Sequence, residues 1–200
     1  MTAQVIRRCF DSGLTEAEWN SCFNKLAMKA RAFWKAVTVD RSEFLDRLLG
    51  LLRAERVRFC VIGGQGVNAY AEPVVSLDLD LVLAAVDLAT LIPALEHQFH
   101  VERFAHSLNL STGGSDLRAQ IQLDPRYERF IERASERDIL GERLPVAAIE
   151  DVLQGKIWAA MDDSRRASKR QKDLADIARL IEHEPRLRER VPQVIRDRLL

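Results

Sequence analysis

The stretch Leu77-Asp78-Leu79-Asp80-Leu81-Val82-Leu83 constrains the fold more than any other part of the chain. Its alternation has the period of a strand, so Leu77, Leu79 and Leu81 share one face while Asp78 and Asp80 share the other. The leucine face needs a core. The aspartate face carries two carboxylates about 7 Å apart along the strand, and burying both without a counter-charge is costly, so a cation has to be close by. Upstream, Val57 to Ile62 is a compact β-branched and aromatic run closed by Gly63-Gly64, the pattern of a buried strand ending in a turn. Glycines there let a ligand approach the backbone, and a helix starting beyond them offers free amides to phosphate. A phosphate cradle followed by metal-binding carboxylates is the equipment of metal-assisted phosphoryl chemistry.

The rest of the chain supplies the frame. Thr15 with Glu18 and Asp40 with Glu43 have the spacing of helix starts, and Phe44, Leu45, Leu48, Leu49 and Leu52 recur at helical period behind Asp40. Gln65–Ala71 reads as a short helix, 76–83 as a strand and 87–99 as a helix that tolerates Pro93. Strands are predicted over 103–110 and 115–123, joined by Ser111-Thr112-Gly113-Gly114 as a hairpin turn. From Pro125 onward the reading is helical with a break around 141–147, and the last two helices begin near Ala148 and Ser168. The expected architecture is α+β, with a mixed sheet core and helices on one side. An N-terminal helical extension covers 1–55, the core 56–147, and a C-terminal helical segment packed on the core 148–200.

Composition sets limits on function. Thirty basic residues balance thirty acidic ones, which argues against wide electrostatic wrapping of nucleic acid. Cys9, Cys22 and Cys60 are odd in number and far apart, so neither a disulfide framework nor a Cys-x-x-Cys metal site is expected. No apolar run reaches membrane-spanning length and the first residues lack a signal-peptide core, so the expected location is the cytoplasm. His97, His100, His106 and His183 lack ligand spacing, and Trp19, Trp34 and Trp158 fall in helical patterns as packing residues. The basic run from Arg165 to Lys172 reads either as a solvated helix face or as a contact for triphosphate or RNA.

Ile62-Gly63-Gly64, a gap of Gln65 to Leu77, then Asp78-Leu79-Asp80-Leu81 resembles the motif of the nucleotidyltransferase superfold typified by DNA polymerase beta. Residues 149–182 are similar to the helices that follow it in bacterial AbiEii/AbiGii-type toxin nucleotidyltransferases. The resemblance implies Mg²⁺ or Mn²⁺ on Asp78 and Asp80 as catalytic and metal residues, and a nucleoside triphosphate (ATP among the candidates) on Gly63, Gly64, Gln65, Lys156 and Lys172. It also implies an acceptor hydroxyl on RNA, protein or a small molecule, an antitoxin partner, and Asp173 and Asp176 completing the domain, read here as ion-pair partners of Lys156 or nearby arginines.

The chain departs from that pattern on the strand after the hairpin turn. Its same-face series is Asp116, Arg118, Gln120, Gln122 and Asp124, with glutamines where the superfold has a third carboxylate. An amide oxygen can touch a metal but is a poor proton acceptor. Either Asp116 or Asp124 replaces the acid from the strand's end, or turnover is weak. A second departure is Val74-Val75 ahead of Ser76, where relatives often carry an arginine. Three readings stay open at this level: a transferase, a degenerate nucleotide or partner binder, and a structural interaction module.

Overall fold

The computed structural model describes residues 43–199. The predicted helix start at Thr15, the capping position Asp40, Cys9, Cys22, Trp19 and Trp34 lie outside the described residues. Helix α1 (Phe44–Ala54) begins after Glu43, which takes φ 52, so the start falls three residues beyond the one the Asp40–Glu43 pattern predicts. Its buried face is Phe44, Leu45, Leu48, Leu49, Leu51 and Leu52.

Among the described residues seven strands form one sheet: β1 (Phe59–Ile62), β2 (Asp78–Leu83), β3 (His100–Arg103), β4 (Ser107–Ser111), β5 (Arg118–Gln122), β6 (Ser135–Ile139) and β7 (Glu142–Val146). Their spatial order is β3-β4-β5-β2-β1-β7-β6. β2 runs antiparallel to β1 and parallel to β5, and β1 meets β7 in parallel at Val61↔Val146, which makes the sheet mixed. A six-residue helix, α2 (Gly63–Asn68), follows β1 directly, and α3 (Ala85–Gln98) runs unbroken through Pro93. After β7 come α4 (Ile149–Met161), α5 (Ala167–His183) and the short α6 (Gln193–Arg196).

Alternation places the core on both faces. On the first, Leu79, Leu81 and Leu83 of β2 join Leu108, Leu110, Ala119, Ile121, Leu144 and Val146 beneath α1 and α3. Each such buried aliphatic side chain contributes about 1.5–3 kcal/mol of transfer free energy. α1, within the stretch read from sequence as an extension, therefore helps to close this core. On the second face Cys60, Ile62 and Val82 pack against Val152, Leu153 and Ile157 of α4 and Leu174, Ile177 and Leu180 of α5. Tyr127 and Phe130, from a 3-10 segment (Pro125–Arg133), complete this cluster. Toward β5 and β4 that second face turns polar.

Two regions differ from the sequence reading. The single strand predicted over 103–110 is a hairpin, β3 paired with β4 through Glu102↔Asn109. The region after Pro125, read as helical, contains a second hairpin in which β6 pairs with β7 around Leu140-Gly141. Both turn residues have positive φ, 58 and 82, as a type I′ turn requires.

Candidate active site

The site is built where β1 ends. Register sets Ile62 opposite Asp80, so the turn leaving β1 passes directly over that carboxylate. Gly63 has φ +63, and a Cβ placed on it would lie 1.8 Å from Asp80 Oδ2. Both facts require glycine there. The Gly64 N–H donates to Asp80, so the turn and the carboxylate hold each other. The loop back to β2 is tied to α2: Gln65 Nε2 donates to the Ser76 carbonyl at 3.0 Å, Asn68 Nδ2 to the Val74 carbonyl at 2.7 Å, and the Val74 N–H to Asn68 Oδ1 at 3.0 Å. Ser76, buried, donates from Oγ to the Asp78 carbonyl at 3.3 Å. This bracing fixes where Asp78 enters the strand.

Asp78 and Asp80 share the second face of β2, Asp80 partly buried beneath the glycine turn. Burial raises the Asp80 carboxyl above its ordinary value, helped by the charge of Asp78 and opposed by Lys156, the Gly64 amide and Lys172. Lys172, exposed near the start of α5, lies with Nζ 3.9 Å from where a Gly64 Cβ would stand. The turn, the carboxylates and this ammonium thus converge, although they lie far apart in sequence.

Lys156 behaves differently. It is buried on α4, 3.0 Å from Asp173 and 2.7 Å from Asp176. Arg165 meets Asp173 at 2.7 Å and Arg179 meets Asp176 at 2.8 Å, the ion pairs expected for these aspartates. Burial alone would lower the Lys156 ammonium, yet Asp176, Asp173 and Asp80 outweigh it and the group is raised. It acts on Asp80 through the field inside a cavity of about 110 Å³ that both residues line with Gly63, Gln120, Tyr127 and Arg165. Tyr127 lines that cavity, and burial drives its hydroxyl up to about 12.

The β2–β5 register shows which residues stand beside the two aspartates. β5 pairs with β2 as Asp78↔Arg118 and Asp80↔Gln120, so Gln120 faces Asp80, and Arg118 rather than a glutamine faces Asp78. Arg118 Nε is 3.4 Å from Asp78 Oδ1. Gln122 turns its Oε1 to the N–H groups of Leu123 and Asp124. Asp124 caps the 3-10 segment at Arg126 N and pairs with the Arg126 guanidinium at 2.6 Å, which holds its carboxyl below the usual range. That carboxylate is committed outside the cavity, and Asp116 sits in the turn before Leu117. Among the described residues no group of three or more His, Cys, Asp and Glu side chains is placed to hold a metal ion. Asp78 and Asp80 are the two residues that would hold a magnesium ion if its other ligands came from phosphate and water, and Gln120 is paired with Asp80 on the adjacent strand.

The sequence pointed to the two aspartates, the glycines and the basic run that contains Arg165, but not to Ser76, Arg118 or Tyr127 as parts of the site. Arg118 already stood in the same-face series of β5, and the parity of that strand was the signal that could have found it.

The family described as nucleotidyl transferase AbiEii toxin, type IV toxin–antitoxin system, matches residues 69–199, well over half of the chain. Among solved structures the fold is similar to ANT(2″)-Ia in complex with adenylyl-2″-tobramycin, at TM-score 0.55 and 15% identity over 79% of this chain and 98% of that one. The lincosamide antibiotic adenylyltransferase LnuA, lincomycin-bound, aligns at TM-score 0.49 and 16% identity over 72% of this chain and 99% of that one. An antigenic nucleotidyltransferase-like protein from Paracoccidioides brasiliensis aligns at TM-score 0.48 and 17% identity over 73% of this chain and 78% of that one. No curated protein matches the sequence. Among the described residues no helix is long and apolar enough to cross a membrane. With the glycine turn, the paired aspartates and the C-terminal helices accounted for, the chain belongs to the AbiEii toxin family of nucleotidyltransferases.

Proposed function

We propose that the site binds a nucleoside triphosphate together with Mg²⁺ or Mn²⁺ and transfers the nucleoside monophosphate to an acceptor oxygen on RNA, protein or a small molecule, releasing pyrophosphate. What supports the reading is one arrangement: Asp78 and Asp80 on one face of β2, under a turn whose Gly63 leaves no room for a side chain, with Lys172 Nζ beside Gly64. Asp78 and Asp80 would hold the cation, which neutralises phosphate charge and supports the departing pyrophosphate. The chain's own groups do the rest. Lys172 and the Gly63 and Gln65 amides meet the phosphates, the Gly64 amide keeps Asp80 in place, and buried Lys156 keeps Asp80 in a positive field. In the type IV setting of its family, the protein acts as the toxin half of a pair with an antitoxin as its counterpart.

A second reading, a nucleotide binder without turnover, is favoured by one observation: Gln120 stands opposite Asp80 where a third acid would complete the site. Both readings require triphosphate binding. Calorimetric titration with each of the four nucleoside triphosphates, with and without Mg²⁺, is expected to give cation-dependent binding that Asp78→Asn with Asp80→Asn abolishes. Unchanged affinity in the double variant rejects the site.

A further inference from the structure

Beside the aspartates, toward β4, lies a second pocket of about 170 Å³ lined by Asp78, Arg118, Gln120, Asn109 and Lys169. Gln120 also lines the first cavity, so the two spaces adjoin at that residue, with Asp80 lining the first and Asp78 the second. A nucleophile approaching a phosphate held at Asp78 and Asp80 has this pocket as its route from the β5 side. Its charge is informative. Two cations, Arg118 on β5 and Lys169 in the first turn of α5, line it against the single carboxylate Asp78. The contact of Arg118 with Asp78 engages Nε at 3.4 Å, and a guanidinium carries four further N–H donors for a second anion. Asn109, paired with Gln120 across the sheet, has its Oδ1 buried without a hydrogen-bond partner, an acceptor in want of a hydroxyl or amine.

Gln120 restricts the kind of nucleophile that suits this pocket. An aspartate opposite Asp80 would take a proton from an attacking hydroxyl and would repel an attacking anion; an amide does neither. We infer that the acceptor is a phosphomonoester with a neighbouring hydroxyl, whose attacking oxygen is already ionised at neutral pH. The inference rests on the nucleotide-transfer reading above. An oxygen of the acceptor phosphate attacks the α-phosphorus, the bond from that phosphorus to the α–β bridging oxygen breaks, and pyrophosphate leaves with the electron pair. The product is a phosphoanhydride. No proton has to leave the nucleophile, which is why the site has no need of an acid–base residue at position 120.

The test is calorimetric, on protein saturated with Mg²⁺ and an α,β-methylene triphosphate, titrated with glycerol 3-phosphate, glycerol and glycerate. Glycerol 3-phosphate is expected to bind and the other two not. Arg118→Ala, Lys169→Ala and Gln120→Glu should each weaken that binding by about tenfold. With α-labelled ATP, the natural protein should label glycerol 3-phosphate, and Gln120→Asp should lower that transfer while raising transfer to glycerol. Absence of cation-dependent triphosphate binding would overturn the proposed function and this inference with it. Intact triphosphate binding with no affinity for glycerol 3-phosphate, or an affinity indifferent to the three substitutions, overturns the inference alone.

Discussion

Gly63 shows how one residue can be required twice, by backbone and by neighbour. Its φ of +63 costs an L-residue about 1–2 kcal/mol, and a methyl group there would overlap Asp80. Gly63→Ala is therefore expected to lower stability by at least that amount and to displace the carboxylate, whereas Gly64→Ala, whose Cβ would lie 3.4 Å from Ser76 Oγ, should fold as the natural protein does. Urea denaturation of the pair checks this, and equal losses would mean that the turn tolerates a side chain at either position. Asp80 itself gives a pH signature. Burial and Asp78 raise its folded carboxyl above the unfolded value of 3.8, so over that interval the folded chain keeps a proton the unfolded chain has released. Stability falls as pH rises through the interval and stays lower above it. Asp80→Asn removes the effect: the variant should exceed the natural protein in stability at about pH 7 and match it below about pH 4. Denaturation midpoints that differ equally at both pH values would contradict the assignment.

Among the elements, α4 and α5 are locked by a buried network rather than by apolar contact alone. Removing Lys156 leaves Asp173 and Asp176 facing only Arg165 and Arg179, themselves partly exposed. Lys156→Met is expected to cost about 3–5 kcal/mol, the usual effect of breaking a buried ion pair, and a loss below about 1 kcal/mol would show that the arginines suffice. The elements also show what the sequence could reveal. β2 and its turn were legible because Leu79 and Leu81 alternate with Asp78 and Asp80 inside a few residues, a purely local pattern. β6 and β7 were not. Ser135–Ile139 is an edge strand with mostly exposed side chains, β7 contains Pro145, and the turn between them is Leu-Gly rather than the Asn-Gly that signals a hairpin. β7 is held by its parallel contact with β1 at Val61, a pairing between segments distant in sequence. The register that sets Gln120 against Asp80 was hidden for the same reason. Strand parity put Gln120 on the correct face, but only the β2–β5 pairing could decide between it, Gln122 and Arg118 as the neighbour of each aspartate.

At the scale of the whole molecule the site joins two cores. The first-face core anchors β2 from beneath, and the second-face core anchors α5, which carries Lys172 and Lys169. A triphosphate bridging the Gly63-Gly64 turn and Lys172 ties α5 to the sheet through an additional link, so its binding should be read as global stability. A ligand that binds only the folded state adds about 2.7 kcal/mol at one hundred times its dissociation constant, and for a domain of this size each kcal/mol moves Tm by about 2–4 °C. Thermal unfolding at that excess of ATP with Mg²⁺ should therefore rise by about 5–10 °C, with little rise when the cation is chelated. If Lys172 is one of the two anchors, Lys172→Ala should lower the affinity by about tenfold, because a charge-assisted contact to phosphate is lost. At fixed ATP it should then forfeit about 1.4 kcal/mol of that stabilisation. Lys172 is exposed, so the unliganded variant should melt with the natural protein. A Tm shift that persists undiminished in Lys172→Ala would place the triphosphate away from α5, and a shift independent of the cation would remove Asp78 and Asp80 from its binding.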